Sequence, residues 1–389
     1  MFPAILPCGA AGCPGPLSSA RPAVSIRASA QAPQASAGPS GGGHGRKRVY
    51  MARGARGRLR GTSLRAVLAP AAALALLLAT AGCGDSGGGD GGGAADGKGL
   101  EKATITVGTM PVADTAPLQL AIAKGFFKAE GLTVRTTTLQ GGAESVGRLR
   151  AGALDISFGN YVSYFLAHAN KALDVRIVAD AFALAPKTHA VLVRKDSPVK
   201  SLKDLEGKKI GVNTKRNISS LLVRKAAEAE GVAFDEDADF AEVDMPNMET
   251  ALKSGSVDAV QAAEPFVSAI EESGTGRVVA DLGRPPTAGF PIAGYATTAR
   301  FAERNKKTVE AFQRAMARAQ KQAADRSTVV RTLPDYTRIT PDQAAQLHLG
   351  GYPVALDPAR LRRVVDLMRE FGYLRRTLDV EPLLVRTGP

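Results

Sequence analysis

The side chains best suited to chemistry in this chain are carboxylates, amides and hydroxyls that follow short apolar runs. What they could do is hold a small polar molecule by hydrogen bonds. Pro111, Asp114 and Thr115 come after the run 104–109. Gln140 and Gly141 stand at a Gly-Gly turn whose backbone amides could face a ligand; no Gly-Lys-Ser/Thr follows, so the turn is no phosphate loop. Asn160 and Tyr161 follow 156–159, and Asn213, Thr214 and Asn217 precede a helical pattern, where unpaired amides favour an anion or a polar ligand atom. Glu264 is the best carboxylate, suited to accept from an amine or a heterocycle, or to sit at a helix start and stabilise its dipole. Lys215 and Arg216 are solvated or hold an anion, and Tyr161, Phe266 and Tyr295 either flank a flat ring or belong to the core.

Catalytic and metal chemistry find little support. His168, His189 and His348 show no metal-ligand spacing, and the last cysteine is Cys83, so neither a metal site nor a cofactor is expected. No Ser/His/Asp order or nucleophile elbow appears.

The elements that must position these groups read as alternating strands and helices. In 104–135, Ile105 and Val107 alternate with threonines as in a strand. A loop follows, then a helix with Pro117 in its first turn, a glycine stop at Gly125 and a second strand from Leu132. Such a loop lies at the carboxyl edge of a sheet, where open α/β sheets bind ligands, so residues 110–115 should be the most exposed to one. An internal echo supports two lobes of similar build: LRAGALDI at 149–156 matches LKSGSVDA at 252–259. If the lobes face each other, Asn160 and Glu264, which follow the paired strands, meet across a cleft. Apolar stripes predict long packing helices over 301–325 and 358–371.

The stretch APLQLAIAKGFFKAEGLTV (116–134) resembles the opening signature of the solute-binding proteins of sulfonate, taurine, nitrate and pyrimidine-precursor importers, a family that includes the NMT1/THI5-like domain. SLKDLEGKKIGVNT (201–214) and the Glu264-Pro265 pair after a Gly-x-Val-Asp-Ala-type run resemble further motifs of the family, and together the likeness covers about 103–389. It implies an α/β, type II periplasmic-binding-protein-like fold with a hinge and a ligand cleft between two lobes. Lobe 1 is placed at 103–193 and 293–389 and lobe 2 at 194–292, with crossovers near 194–200 and 290–294. It also implies a binding protein rather than an enzyme, expected to be monomeric, that delivers its ligand to an ABC permease and its ATPase. The ligand would be an aminopyrimidine-like thiamine precursor or a sulfonate. The alternative is a pyrimidine-synthesis enzyme of the same fold, which uses histidine, iron and a cysteine cluster. A LysR-type effector domain shares the bilobal build but needs an N-terminal DNA-binding helix pair, for which residues 1–100 offer no pattern.

The net charge of +13 does not point to nucleic acid. Residues 1–82 hold ten of the fifty Lys and Arg and no acidic residue, which leaves 40 basic against 37 acidic side chains in the rest. Residues 1–50, rich in Ala, Gly, Pro and Ser, read as a disordered extension or as sequence upstream of a true start at Met51. From 51 to 82 the chain reads as a signal peptide: five arginines, then an apolar segment at 66–79 that is shorter than the roughly 20 residues of a membrane span. ATAGC at 79–83 resembles a lipobox, departing from it only at Thr80, and implies export with an acyl anchor on Cys83 at the outer face of the membrane. Residues 83–102 would be a glycine-rich tether.

Overall fold

The computed structural model describes residues 99–386. Met51, Cys83, the basic leader and the tether up to residue 98 lie outside the described residues. Two five-stranded mixed sheets organise the rest. The first runs in the order β2-β1-β3-β10-β4, with β1 at Thr104–Thr109, β2 at Thr133–Thr138, β3 at Ile156–Asn160, β4 at Val175–Ala183 and β10 at Pro291–Thr298. The second runs β7-β6-β8-β5-β9, with β5 at His189–Arg194, β6 at Ile210–Val212, β7 at Phe240–Glu242, β8 at Ala259–Ala263 and β9 at Gly276–Asp281. In each sheet one strand runs against the other four: β1 is parallel to β2 and β3, and β6 to β7 and β8. The reversed strands are β10, antiparallel to both β3 and β4, and β5, antiparallel to both β8 and β9.

The internal echo marks equivalent places. LRAGALDI leads into β3 and LKSGSVDA into β8, the central parallel strands of their sheets. Both strands are buried along their whole length, as expected of strands covered on two faces. The aspartate in each motif does one job. Asp155 Oδ2 accepts from the Thr106 amide at 2.9 Å, and Asp258 Oδ2 from the Lys209 amide at 2.9 Å, tying the entry of the third strand to the first.

The sheet pairing corrects the expected lobe boundary. β5 pairs with β8 and β9, so 189–193 belongs to lobe 2, and the chain crosses over at 184–188 and returns at 282–290. The apolar runs of β4 and β5 look alike, and the polar run 194–200 that follows β5 resembles a linker. It is a loop within lobe 2, where the Arg277 guanidinium donates to the Ser197 and Val199 carbonyls. The predicted helix over 301–325 is two helices, Ala299–Arg304 and Lys306–Gln322, broken at Asn305.

One large core runs under both sheets, and a smaller cluster joins Val329, Leu333, Ala344 and Leu347 to Ala113 and Ala116. The helix Pro358–Glu370 packs on the first lobe, where Arg360 reaches the buried Asp180 at 2.7 Å. Beyond it the chain turns onto the second lobe. Lys225 pairs with Glu370 at 2.6 Å, Arg224 stacks over Phe371 at 4.8 Å, and the Tyr373 hydroxyl meets Ser220 Oγ at 3.0 Å and donates to the Glu236 carboxylate. This C-terminal strap is a third attachment between the lobes, made of side chains.

Candidate ligand-binding site

The loops at the carboxyl ends of β1, β3, β6 and β8 converge between the sheets. They enclose a cavity of about 50 Å³. Lobe 1 contributes Met110, Val112, Asp114, Asn160 and Ala293, and lobe 2 contributes His189, Asn213, Asn217, Met245 and Ala263. Asn160 and Asn217 are placed by local chemistry: each caps a helix, with Oδ1 accepting from Ser163 N at 2.9 Å and Ser219 N at 2.8 Å. Their backbones are thereby fixed at the cavity wall.

Asp114 is the charged centre of this arrangement. It is 4% exposed, and among the described residues no neighbour donates a hydrogen bond to its carboxylate; its own amide is the donor present. Burial pushes its pKa up to about 7. The loop that carries it is held on several sides. Tyr336 Oη donates to the Val112 carbonyl at 3.0 Å and Tyr352 Oη to the Ala113 carbonyl at 2.9 Å. The Ala113 amide donates across the lobes to the Glu264 carbonyl at 3.0 Å. His189 faces the same cavity from lobe 2. Burial lowers its pKa to about 4, so the ring is neutral, and its Nδ1 has no hydrogen-bond partner among the described residues. No Lys or Arg lines this cavity.

A second, larger chamber of about 650 Å³ adjoins it, and Met110, Val112 and Met245 line both. Pro111 and Gln140 line this outer chamber, as does Phe266. Asp114, Asn160, Asn213 and Asn217 line the inner one. Gly141 lies where the lobes approach closely across the cleft. A methyl group there would lie 2.7 Å from Asn213 Oδ1 and 3.0 Å from Thr214 Oγ1, and Asn213 Nδ2 donates to the Gln140 carbonyl at 2.8 Å. Thr214 belongs to that contact rather than to the cavity wall.

Three expected site residues have other work. The Thr115 hydroxyl donates to the carbonyls of Met110 at 2.8 Å and Val112 at 3.1 Å, bracing the loop from behind. Tyr161 is fully buried and donates to Asp180 Oδ1 at 2.9 Å. Glu264 spends both carboxylate oxygens within the fold: Ser268 N and Oγ donate at 3.1 and 2.7 Å, and His348 N at 3.1 Å. Of its two expected roles, it plays the helix-start one. Lys215 and Arg216 turn outward to Asp237, and Tyr295 packs in the core against Phe158 and Phe312.

His189 and Met245 were not singled out by sequence reasoning. A histidine heading an otherwise apolar strand was the available signal for the first; nothing in the pattern around 245 marks the second. Among the described residues no group of three or more His, Cys, Asp or Glu could hold a metal ion.

Comparison with known proteins agrees with this architecture. The alkanesulfonate-binding protein SsuA of Xanthomonas axonopodis pv. citri, solved with MOPS, is 20% identical at a TM-score of 0.63, covering 74% of this chain and 99% of that one. The periplasmic nitrate-binding protein NrtA of Synechocystis PCC 6803 is 16% identical at a TM-score of 0.61, covering 73% of this chain and 85% of that one. Among curated relatives, YtlA of Bacillus subtilis is 27% identical over 208 residues, 53% of this chain and 61% of YtlA. The nitrate import ATP-binding protein NrtC of Synechocystis is 26% identical over 200 residues, 47% of this chain and 30% of NrtC. The chain thus spans 61% and 30% of the lengths of these two curated relatives. The fold is that of the periplasmic binding proteins, two α/β lobes on either side of a cleft. Residues 98–332, more than half of the chain, match the model of the NMT1-like family, and the chain belongs to that family.

Proposed function

We propose that this protein is the extracytoplasmic solute-binding component of an ABC importer. It closes two lobes over a small organic molecule and passes it to a permease and its ATPase. It acts as a monomer, anchored to the outer face of the membrane through an acylated Cys83. The head of the ligand is a nitrogen-bearing group that donates hydrogen bonds, as in an aminopyrimidine, rather than a sulfonate.

The observation that carries the ligand reading is Asp114. Its carboxylate is buried in the cleft with no donor but its own amide, and the inner cavity has no Lys or Arg to hold an anion. A buried carboxylate is costly unless something donates to it, and the group left to do so is the ligand. An anion would meet Asp114 without compensation, and Lys215 and Arg216, the cations nearest in sequence to the Asn213–Asn217 loop, point elsewhere. The importer reading draws on the fold shared with sulfonate- and nitrate-binding proteins. The alternative pyrimidine-synthesis enzyme would need a metal-binding set, whereas His168, on a lobe 1 helix, accepts at Nδ1 from the Val175 amide at 3.3 Å, and His189 is the one histidine lining the inner cavity.

The test is thermal unfolding of the purified protein against aminopyrimidines, taurine, alkanesulfonates and nitrate. A ligand at about 100 times its Kd adds roughly 2.7 kcal/mol of stability. Stabilisation by an aminopyrimidine that Asp114→Asn abolishes is the expected result. Stabilisation by sulfonate or nitrate alone overturns the ligand assignment.

A further inference from the structure

The two chambers differ in size and chemistry. At roughly 10–15 Å³ per water-sized site, the inner cavity of about 50 Å³ has room for a group of a few heavy atoms and no more. The outer chamber, about 650 Å³, falls within the roughly 300–1,000 Å³ of sites that take whole organic ligands. Its wall is largely apolar, with Pro111, Leu139, Pro265, Phe266 and Ile339. Its charged residues are Asp244, Arg338 and Glu249, which pairs with Lys253 at 2.7 Å, so it offers no excess of positive charge to an anion. Between the chambers stand two methionines, Met110 from lobe 1 and Met245 from lobe 2. Unbranched thioethers move aside at little cost and make favourable contacts with aromatic rings.

We propose that the ligand has two parts: a nitrogen-bearing head seated against Asp114 and His189, and an apolar body that passes between Met110 and Met245 into the outer chamber against Phe266 and Ile339. This rests on the reading of the cleft as the ligand site and adds the shape of what fills it. The inner cavity alone is too small for a ring, so the ring of an amino-heterocycle lies between the two thioethers with its amino group pointing inward. A substituent on the far side of the ring then leads into the outer chamber. His189 stands beside the head, because its ring lines the same inner cavity as Asp114.

The experiment is calorimetric titration of the full chain with 4-aminopyrimidines carrying hydrogen, methyl, propyl or hexyl on the ring carbon opposite the amino-bearing edge. The same tails on sulfonates serve as the control. Affinity should rise by roughly fourfold per methylene buried over the first carbons. Asp114→Asn should weaken every member by a similar factor and keep the slope, whereas Ile339→Asn should flatten it. Melting curves of both variants establish that they are folded. A flat series on a tightly bound parent overturns the two-chamber ligand and leaves the cleft reading standing. A slope on sulfonates with no aminopyrimidine binding overturns the nitrogen head and the proposed ligand class together, and absence of binding by every member overturns both readings.

Discussion

Replacing Gly141 by alanine probes closure directly. The backbone there is extended, with φ −178°, a conformation open to any residue, so the methyl brings no strain within lobe 1. Across the cleft it meets Asn213 Oδ1 at 2.7 Å and Thr214 Oγ1 at 3.0 Å, well inside the roughly 3.5 Å at which carbon contacts become favourable. Either the lobes stand apart or the Asn213 and Thr214 side chains rotate aside, and both give up the 2.8 Å bond from Asn213 Nδ2 to the Gln140 carbonyl. Overpacking costs about 1–3 kcal/mol and the hydrogen bond about 1 kcal/mol. The closed state therefore loses about 1–4 kcal/mol, the lower end where the two side chains rotate aside, which at about 1.4 kcal/mol per decade predicts affinity weaker by roughly 5- to 700-fold. Unliganded protein is free to open and should lose under about 1 kcal/mol in urea unfolding. Calorimetric titration of Gly141→Ala with whichever ligand the panel identifies supplies the comparison. Unchanged affinity would refute closure through this contact. An equal loss of stability without ligand would show that the contact is permanent rather than made on closing.

Asp114 and His189 should tilt stability against pH in opposite directions. The raised carboxyl binds its proton more tightly in the folded state, so its contribution falls as pH rises from about 3.8 to about 7; the lowered imidazole contributes a rise from about 4 to about 6.5. Relative to wild type, Asp114→Asn should gain about 1.4 kcal/mol per pH unit across 4–7, and His189→Gln should lose about as much across 4–6.5, both read by chemical unfolding. A permanently cationic head should bind more weakly below pH 7 as Asp114 takes up its proton, by up to about tenfold per unit, and Asp114→Asn should abolish that dependence in titrations. Glu264→Ala should cost about 2–4 kcal/mol of unfolding free energy, because Ser268 and the His348 amide lose their acceptor; a change in ligand affinity at unchanged stability would contradict its structural role. Arg360→Ala leaves Asp180 buried without its ion pair and should cost about 3–5 kcal/mol in the same assay.

Much of the lobe architecture was legible because it is written locally. Alternation in 104–109, the glycine stop at Gly125 and the repeated Gly-x-x-Asp motif each act within a few residues, and the motif marks the same strand of both sheets. The cleft loops followed from the strand-to-helix order. What failed depends on contacts distant in sequence. Whether His189–Arg194 joined the first sheet or the second rested on pairing with β8, some 70 residues away, which two apolar runs of similar composition do not reveal. Glu264 fits a ligand acceptor or a helix-start residue by its local sequence, and the donor that completes its occupancy, the His348 amide, lies 84 residues on. Tyr161 follows Asn160 directly, yet its ring turns into the core because Asp180 sits there to receive its hydroxyl. Asn160 and Asn217 stand where the sequence puts them because an asparagine before a helical run is a capping residue, and both cap their helices at the cavity wall.

The strap described at the C-terminal end gives the helix Ile218–Ala229 two neighbours of different kinds. Its first turn, at Asn217, lies in the cleft, while Ser220, Arg224 and Lys225 rest on Tyr373, Phe371 and Glu370. From Asn217 to Lys225 is about 12 Å at ~1.5 Å per residue, and over that length a helix is a stiff rod. Were a ligand to displace Asn217, such a rod would carry the displacement to its other end, where the strap rides on its flank. The strap thereby sets the cleft and the outer face of the molecule at two ends of one lever.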